Sequence, residues 1–215
     1  FLFLAKKSNV IFDIGANTGI YSFSSEAVSP KSKIFAFEPS KKTYLKLKEN
    51  IRLNGSNVII NMIALSNKNG KSTFYDVPNE HQTSASLSEM KLKKWPGYEG
   101  EIIEYDVDTK TFDSFIQDNS ISNVDLLKID VEMHEPEVVE GMVNSINRFK
   151  PYIFIEILYD DIGEKVEGFF NEDWLFFHLQ DGNKLVKSKK LKRVDYQWNY
   201  LIIHNDKLES ISQFI

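Results

Sequence analysis

An α/β fold built on an open, mostly parallel sheet is the architecture this sequence predicts, and three observations predict it. Short apolar runs alternate with stretches of helical periodicity from residue 10 to about residue 160. The run VIFDIGANTGIYS at 10–22 reads as a strand, a tight glycine turn and a helix start, the arrangement that grips a nucleotide-like ligand. A second apolar run, KIFAFE at 33–38, ends in an acid, Glu38, 19 residues after Gly19. With 215 residues and 42% hydrophobic content, the chain suffices for one domain, 1–215, with a substantial core.

The first strand spans about 9–13 and carries Asp13 at its tip. Gly15 can take backbone angles closed to other residues, and Gly19 lets a helix over 19–28 pack close to the strand and the ligand. Asn17 stands where many nucleotide loops place a further glycine, and Asn tolerates the left-handed conformation. The pattern is thus D-x-G-x-N-x-G, headed by an acid that would repel a pyrophosphate and welcome a cationic amino acid moiety. The plain alternative for Asp13 is a cap on the turn.

Strand two, 33–38, places Glu38 to accept both hydroxyls of a ribose, Pro39 stops it, and Ser40 caps a helix over 40–54 that ends at Asn54 and Gly55. Strand three follows at 57–63. Residues 70–112 then break the rhythm: KSTFYDV and EIIEYDV flank a polar, Pro- and Gly-containing centre, which reads as an inserted antiparallel pair of strands with a loop. Such an insertion near the strand tips would cap the crevice on the substrate side; otherwise it is an idle surface excursion. The near-continuous VDLLKID at 124–130 reads as a central strand ending in Asp130, followed by Glu132 and His134. Pro136 suits the start of a helix over 137–149, with Val138, Val139, Met142 and Ile146 on one face. Strand five is 151–157, with Glu156 near its end, and the tail supplies WLFFHLQ, a turn at Asp181-Gly182 and a final strand NYLIIH at 199–204.

Four parallel strands therefore end in acids: Asp13, Glu38, Asp130 and Glu156. In open α/β sheets the ligand crevice lies beyond the carboxyl ends of the strands, so these acids share one rim. Clustered carboxylates repel unless something cationic or rich in donors sits among them.

FDIGANTGIYS at 12–22, FEPS at 37–40, NMIALS at 61–66, LLKIDVEMHEPEVVEGM at 126–142 and PYIFIEI at 151–157 together resemble the FkbM-type family of S-adenosylmethionine-dependent methyltransferases. The resemblance implies a Rossmann-like class I methyltransferase fold with an antiparallel C-terminal edge. It also implies methyl transfer to a hydroxyl of a sugar or natural product. Met133 departs from the commoner family pattern, which has glycine there. The cofactor, S-adenosylmethionine, with S-adenosylhomocysteine as product, also suits the charge balance, since it brings an ammonium, a sulfonium and a ribose diol to the acidic rim. Asp13, Gly15, Ala16 and Gly19 would form the loop around its amino acid part, with Asn17 shaping that loop and Tyr21 and Ser22 at the helix start. Glu38, followed by Pro39, would bind the ribose, and class resemblance puts adenine near Ala64 and Leu65.

Methyl transfer from an activated donor leaves the protein to align the acceptor and help it lose a proton. Asp130, Glu132, His134 and Glu156 are the catalytic candidates, and His134 has the intrinsic pKa best suited to a base near neutrality. The structural alternative for His134 is a helix-entry residue bonded to Glu135 or backbone. Asp130 and Glu156 with Glu132 or His134 would be an oxygen-rich set for magnesium, but no compact ligand motif compels it, and no metal is predicted. His81, His178 and His204 lie away from the rim in sequence.

A net charge of −5 argues against a general polyanion binder and disfavours nucleic acid. The lysines at 41–42, those at 91, 93 and 94 beside Trp95, and the run from Lys187 through Arg193 read as solvated surface rather than as phosphate-binding sites, with the last the cluster to watch. The chain has no cysteine, so disulfides and thiolate metal sites are excluded. No window reaches the roughly 18 apolar residues of a membrane span, and FLFLA at 1–5 is too short for a signal region. A soluble, cytoplasmic protein is expected, and the start at Phe1 rather than Met leaves an upstream segment open. The competing functions are a non-catalytic module that binds the same cofactor and a ribose methyltransferase acting on RNA. A nicotinamide reductase fails on the loop pattern and lacks a Tyr-x-x-x-Lys pair. The acceptor's identity and the oligomeric state are not legible here.

Overall fold

The computed structural model describes residues 1–76, 86–87 and 102–215. Its strands are β1 (Val10–Ile14), β2 (Lys33–Phe37), β3 (Ile59–Asn61), β4 (Ala64–Leu65), β5 (Gly70–Asp76), β6 (Ile103–Lys110), β7 (Leu126–Ile129), β8 (Tyr152–Glu156), β9 (Trp174–Gln180), β10 (Lys184–Ser188) and β11 (Asn199–His204). The helices are α1 (Leu2–Ala5), α2 (Ile20–Val28), α3 (Lys41–Asn54), α4 (Phe112–Asp118), α5 (Glu135–Glu140), α6 (Val143–Phe149) and α7 (Asp160–Glu167). The main sheet has the order β10-β9-β11-β8-β7-β1-β2-β3, and a small sheet has the order β4-β6-β5. The five strands from β8 to β3 are parallel, and the three at the other edge run antiparallel.

Parallel strands connected by crossover helices are covered on both faces, so their side chains are apolar on both. On one face Phe12, Phe35 and Phe37 pack with Phe112 and Phe115 of α4; on the other Ile11, Ile34 and Ala36 pack with Leu47 of α3. The Phe12 ring stacks on Phe35 and meets Phe112 edge-on, each at 4.9 Å between ring centres. Ser40 caps α3 by accepting from Thr43 N–H, and Gly55 closes that helix in the left-handed region.

Several elements differ from the sequence expectation, each for a long-range reason. The third strand, expected over 57–63, is cut to Ile59–Asn61 because Ala64–Leu65 leaves the main sheet to pair with β6. The helix expected over 137–149 is two helices. Its break is held by α4: Asp113 N–H donates to the Gly141 carbonyl at 3.0 Å, and the Asp113 carboxylate accepts from the backbone of Asn144 and Ser145, capping α6. The four apolar positions Val138, Val139, Met142 and Ile146 are nonetheless all buried. At the C-terminal edge the Asp181-Gly182 turn joins β9 not to the final strand but to β10, and β11 lies between β9 and β8.

The outer strands of the insertion, β5 and β6, are the expected antiparallel pair. Most of what lies between them falls outside the described residues, including His81, Lys91, Lys93, Lys94 and Trp95. Ser86 is described, and it bridges to Tyr75 through both backbone hydrogen bonds. No helix among the described residues is long and apolar enough to cross a membrane.

Candidate active site

The spatial order β8-β7-β1-β2 sets the four rim acids side by side as Glu156, Asp130, Asp13 and Glu38. A cleft of about 760 Å³ opens at this rim, within the range of small-molecule sites. Gly15, Ala16, Asn17, Tyr21, Glu38, Pro39, Ala64 and Leu65 line it, as do Asp130, Glu132, His134 and Glu156. Asp13, Gly19 and Ser22 do not line it.

Asp13 is instead a buried structural acid, 1% exposed. Ser22 Oγ donates to its Oδ2 at 2.7 Å, and Lys128 Nζ lies 3.4 Å from its Oδ1. Lys128 comes from the middle of β7, is itself buried, sits 3.4 Å from Asp130 and donates to the Gly15 carbonyl at 2.8 Å. Its Nζ also lies 5.1 Å from the centre of the Tyr21 ring. Burial alone would lower the Lys128 pKa, but Asp13 and Asp130 outweigh it and hold the ammonium above the ordinary lysine value. One of the four acids is therefore neutralised by the protein's own cation. The signal in the sequence was a lysine inside an apolar strand, because a buried lysine must be paired.

The glycines divide their work differently. Gly15 has φ 78, and a Cβ there would lie 1.8 Å from the Asp130 carbonyl oxygen, so the β1 turn presses directly on the end of β7. Gly19, at φ 98, is the residue before α2, and a Cβ there would strike Phe23 and Leu47. It serves helix packing rather than the cleft. Asn17 is left-handed, φ 50, as the loop requires.

Glu38 lies at the end of β2 with both oxygens engaged: Oε2 accepts from Asn17 N–H at 3.0 Å and Oε1 from Ser40 N–H at 2.9 Å. Burial pushes its carboxyl up to about 7, against these two hydrogen bonds, which favour the ionised form. Behind it, Ser40 Oγ and Tyr105 Oη both approach Asp76 Oδ2, at 3.4 and 3.1 Å, and burial raises the Tyr105 hydroxyl to about 12. The small sheet is thereby tied to the tip of β2.

After β7 the chain makes two successive left-handed residues, Glu132 at φ 61 and Met133 at φ 75. This conformation is costly for side chains other than Gly, Asn and Asp, and it explains why glycine suits position 133. Here it is held by Glu135, whose buried Oε1 accepts from Val131 N–H at 3.1 Å and Met133 N–H at 3.3 Å. Burial pushes the Glu135 carboxyl to about 7. From the insertion, Ser86 Oγ donates to the Glu132 carbonyl at 2.5 Å, and Phe74 and Leu87 line the cleft.

His134 stands at the entry of α5, the place of the structural alternative, and it also lines the cleft. Its Nε2 lies 3.0 Å from Ser66 Oγ and its Nδ1 3.4 Å from Glu137 Oε2, rather than bonding Glu135. Burial lowers its pKa below the ordinary histidine value, with Glu137 opposing, so the ring is neutral at pH 7. His178 and His204 do not line the cleft: His178 Nε2 is bonded to the Gln197 carbonyl, and His204 Nδ1 accepts from Asp206 N–H. Among the described residues, no group of three or more His, Asp or Glu side chains is disposed to hold a metal. The C-terminal region adds lining residues that sequence reasoning did not place here, Tyr159, Arg193 and Trp198.

An open sheet with five parallel strands, an antiparallel C-terminal edge and a cleft at the parallel strands' carboxyl ends defines the class I S-adenosylmethionine-dependent methyltransferase fold. Residues 13–184 match the methyltransferase FkbM domain, and the chain belongs to that family. A crystal structure of methyltransferase FkbM from Methylobacillus flagellatus is similar over 92% of this chain and 44% of that chain, with a TM-score of 0.57 and 14% identity. A Streptococcus mutans protein solved with S-adenosylhomocysteine is similar over 94% of this chain and 93% of its own, with a TM-score of 0.53 and 10% identity. In sequence, the hexuronic acid methyltransferase AglP of Haloferax volcanii is 28% identical over 157 residues, covering 71% of this chain. The 2-O-methyltransferase NoeI of Sinorhizobium fredii is 26% identical over 167 residues, covering 74% of this chain. The matched regions are 57% and 66% of the lengths of these two relatives.

Proposed function

We propose that the chain transfers the methyl group of S-adenosylmethionine to a hydroxyl of a sugar or natural-product-type acceptor. The observation that carries the reading is the meeting, in one cleft, of the Gly15–Thr18 turn, the oriented carboxylate of Glu38 and the loop from Asp130 to His134. These residues fit the cofactor's chemistry. Each Glu38 oxygen keeps a second lone pair for a ribose hydroxyl, Ile63, Ala64 and Leu65 offer an apolar flank for adenine, and Asp130 and Glu156 present carboxylates to an ammonium. Membership of the FkbM family and the names of the two relatives, both sugar-directed or O-directed, support the acceptor class.

When bound, S-adenosylmethionine supplies a methyl carbon already activated by positive sulfur, so alignment provides much of the acceleration. The chain's task is to hold the acceptor hydroxyl near Asp130, Glu132, His134 and Glu156 and to take its proton. His134 is the assigned base, because its ring is unprotonated at neutral pH and it lines the cleft. Its Nε2 must exchange Ser66 Oγ for the acceptor hydroxyl, a change of partner rather than of position.

Calorimetric titration with S-adenosylmethionine, S-adenosylhomocysteine and NADH tests the cofactor, and transfer of radiolabelled methyl groups to a panel of sugars tests the reaction. Binding of the first two but not NADH, with label on a sugar hydroxyl, is expected. Tighter binding of NADH ends the reading, and cofactor binding without transfer to any hydroxyl favours a non-catalytic module.

A further inference from the structure

One end of the cleft is not used by the cofactor reading. Leu158 and Tyr159, just after β8, line it together with Arg193 and Trp198 from the connection between β10 and β11. Arg193 is anchored from two sides. Its backbone N–H donates to Asp160 Oδ1 at 2.8 Å, and its guanidinium carbon lies 5.7 Å from the centre of the Tyr159 ring. Its ion pair with Asp195, at 3.6 Å, involves a carboxylate that is 80% exposed and is therefore screened by water. Trp198 shares this end of the cleft.

The charge pattern sharpens the point. Glu38, Asp130, Glu132 and Glu156 line the cleft, while Lys128 is buried and already shared between Asp13 and Asp130. Among the described lining residues Arg193 is then the cation left for a ligand. The neighbouring lysines of its run, Lys187, Lys189, Lys190 and Lys192, are exposed and do not line the cleft. A neutral sugar needs no such arginine. An anionic sugar entering among these acids is repelled in every orientation except the one that sets its anion on Arg193, so the same acids that repel also fix the register.

We propose that Arg193, Trp198 and Tyr159 form an acceptor subsite for a sugar bearing an oxyanion, with the guanidinium gripping the oxyanion through two parallel N–H donors and the Tyr159 and Trp198 side chains lining the cleft beside it. Arg193 is in this view the specificity determinant of the acceptor. The use of the subsite in catalysis rests on the methyl-transfer reading above; its binding preference does not.

The test is direct titration of the purified protein, with and without S-adenosylhomocysteine, using methyl β-glucoside, methyl β-glucuronide, glucose 6-sulfate and glucose 6-phosphate. At least one anionic sugar is expected to bind about tenfold more tightly than the glucoside, and the tightest of the three names the oxyanion. Arg193→Ala is expected to erase that preference and Arg193→Lys to keep part of it, both with unchanged affinity for S-adenosylhomocysteine. Equal binding of the four sugars, no binding of any, or an anionic preference that survives Arg193→Ala overturns the proposal. Failure of S-adenosylhomocysteine to bind, with the sugar preference intact, overturns the cofactor reading and leaves the subsite standing.

Discussion

Lys128 keeps its charge inside the protein because two carboxylates and a carbonyl surround it, and this makes it a sensitive residue. Removing one partner of a buried pair strands the other, so Lys128→Met is expected to cost about 3–5 kcal/mol in urea denaturation. The double variant Asp13→Asn with Lys128→Met is expected to cost less than the two single changes summed, because the fully buried carboxylate is no longer stranded and the remaining one, Asp130, is 34% exposed to water; strict additivity refutes the coupling. Gly15→Ala forces a Cβ against the Asp130 carbonyl and is expected to destroy cofactor binding, checked by calorimetry. For His134→Asn a fall in kcat of roughly a hundredfold or more is expected, with loss of the acidic limb of the pH profile; an unchanged profile removes His134 from the reaction. The wild-type limb should lie below pH 6.5, since burial lowers the ring's pKa. At this scale the sequence identified which acids end the strands, but not that Asp13 faces Lys128 and Ser22 instead of the cleft. Strand periodicity reports which face a residue occupies and is silent about which neighbouring strand supplies its counter-charge.

At the scale of elements, the break between α5 and α6 depends on a cap supplied from α4. Asp113 accepts from the backbone N–H groups of Asn144 and Ser145 and from Ser145 Oγ. Asp113→Ala should lower stability by about 1–2 kcal/mol, the value of a helix cap, and no change in the urea midpoint removes that role. Apolar periodicity carried straight across residues 137–149 because both helices bury the same face; the cap comes from 31 positions away and leaves no local trace. The departure of Ala64–Leu65 into the small sheet and the edge strand β10 escaped for the same reason, as each is defined by its partner strand. By contrast β1, β2, β7 and β8 were legible to within about a residue or two, since strands buried on both faces are apolar without interruption.

The whole molecule should be more stable slightly below neutral pH than above it. Glu38 and Glu135 both have carboxyl pKa values pushed to about 7 by burial, above the 4.5 of an ordinary glutamate. Between those values the folded chain holds protons that the unfolded chain gives up, so stability declines as pH rises through the window, by up to about 3 kcal/mol for each group. His134 acts oppositely: its lowered pKa makes the folded chain shed a proton that the unfolded chain keeps, so stability also falls as pH drops below 6.5. Urea midpoints at pH 6 and pH 8 check this, with a flatter decline expected for Glu38→Gln; greater stability at pH 8 than at pH 6 contradicts it. The sequence by itself determined the α/β class, the glycine turn, the acids at the strand ends and the family, because local pattern and spacing encode each of these. Only the tertiary structure decided which acid is neutralised, how the insertion is fastened to the loop after β7 and that Arg193 and Trp198 reach the cleft. Those are contacts between residues far apart in the chain, and their energies depend on burial and on distances that exist only once the sheet has closed its order.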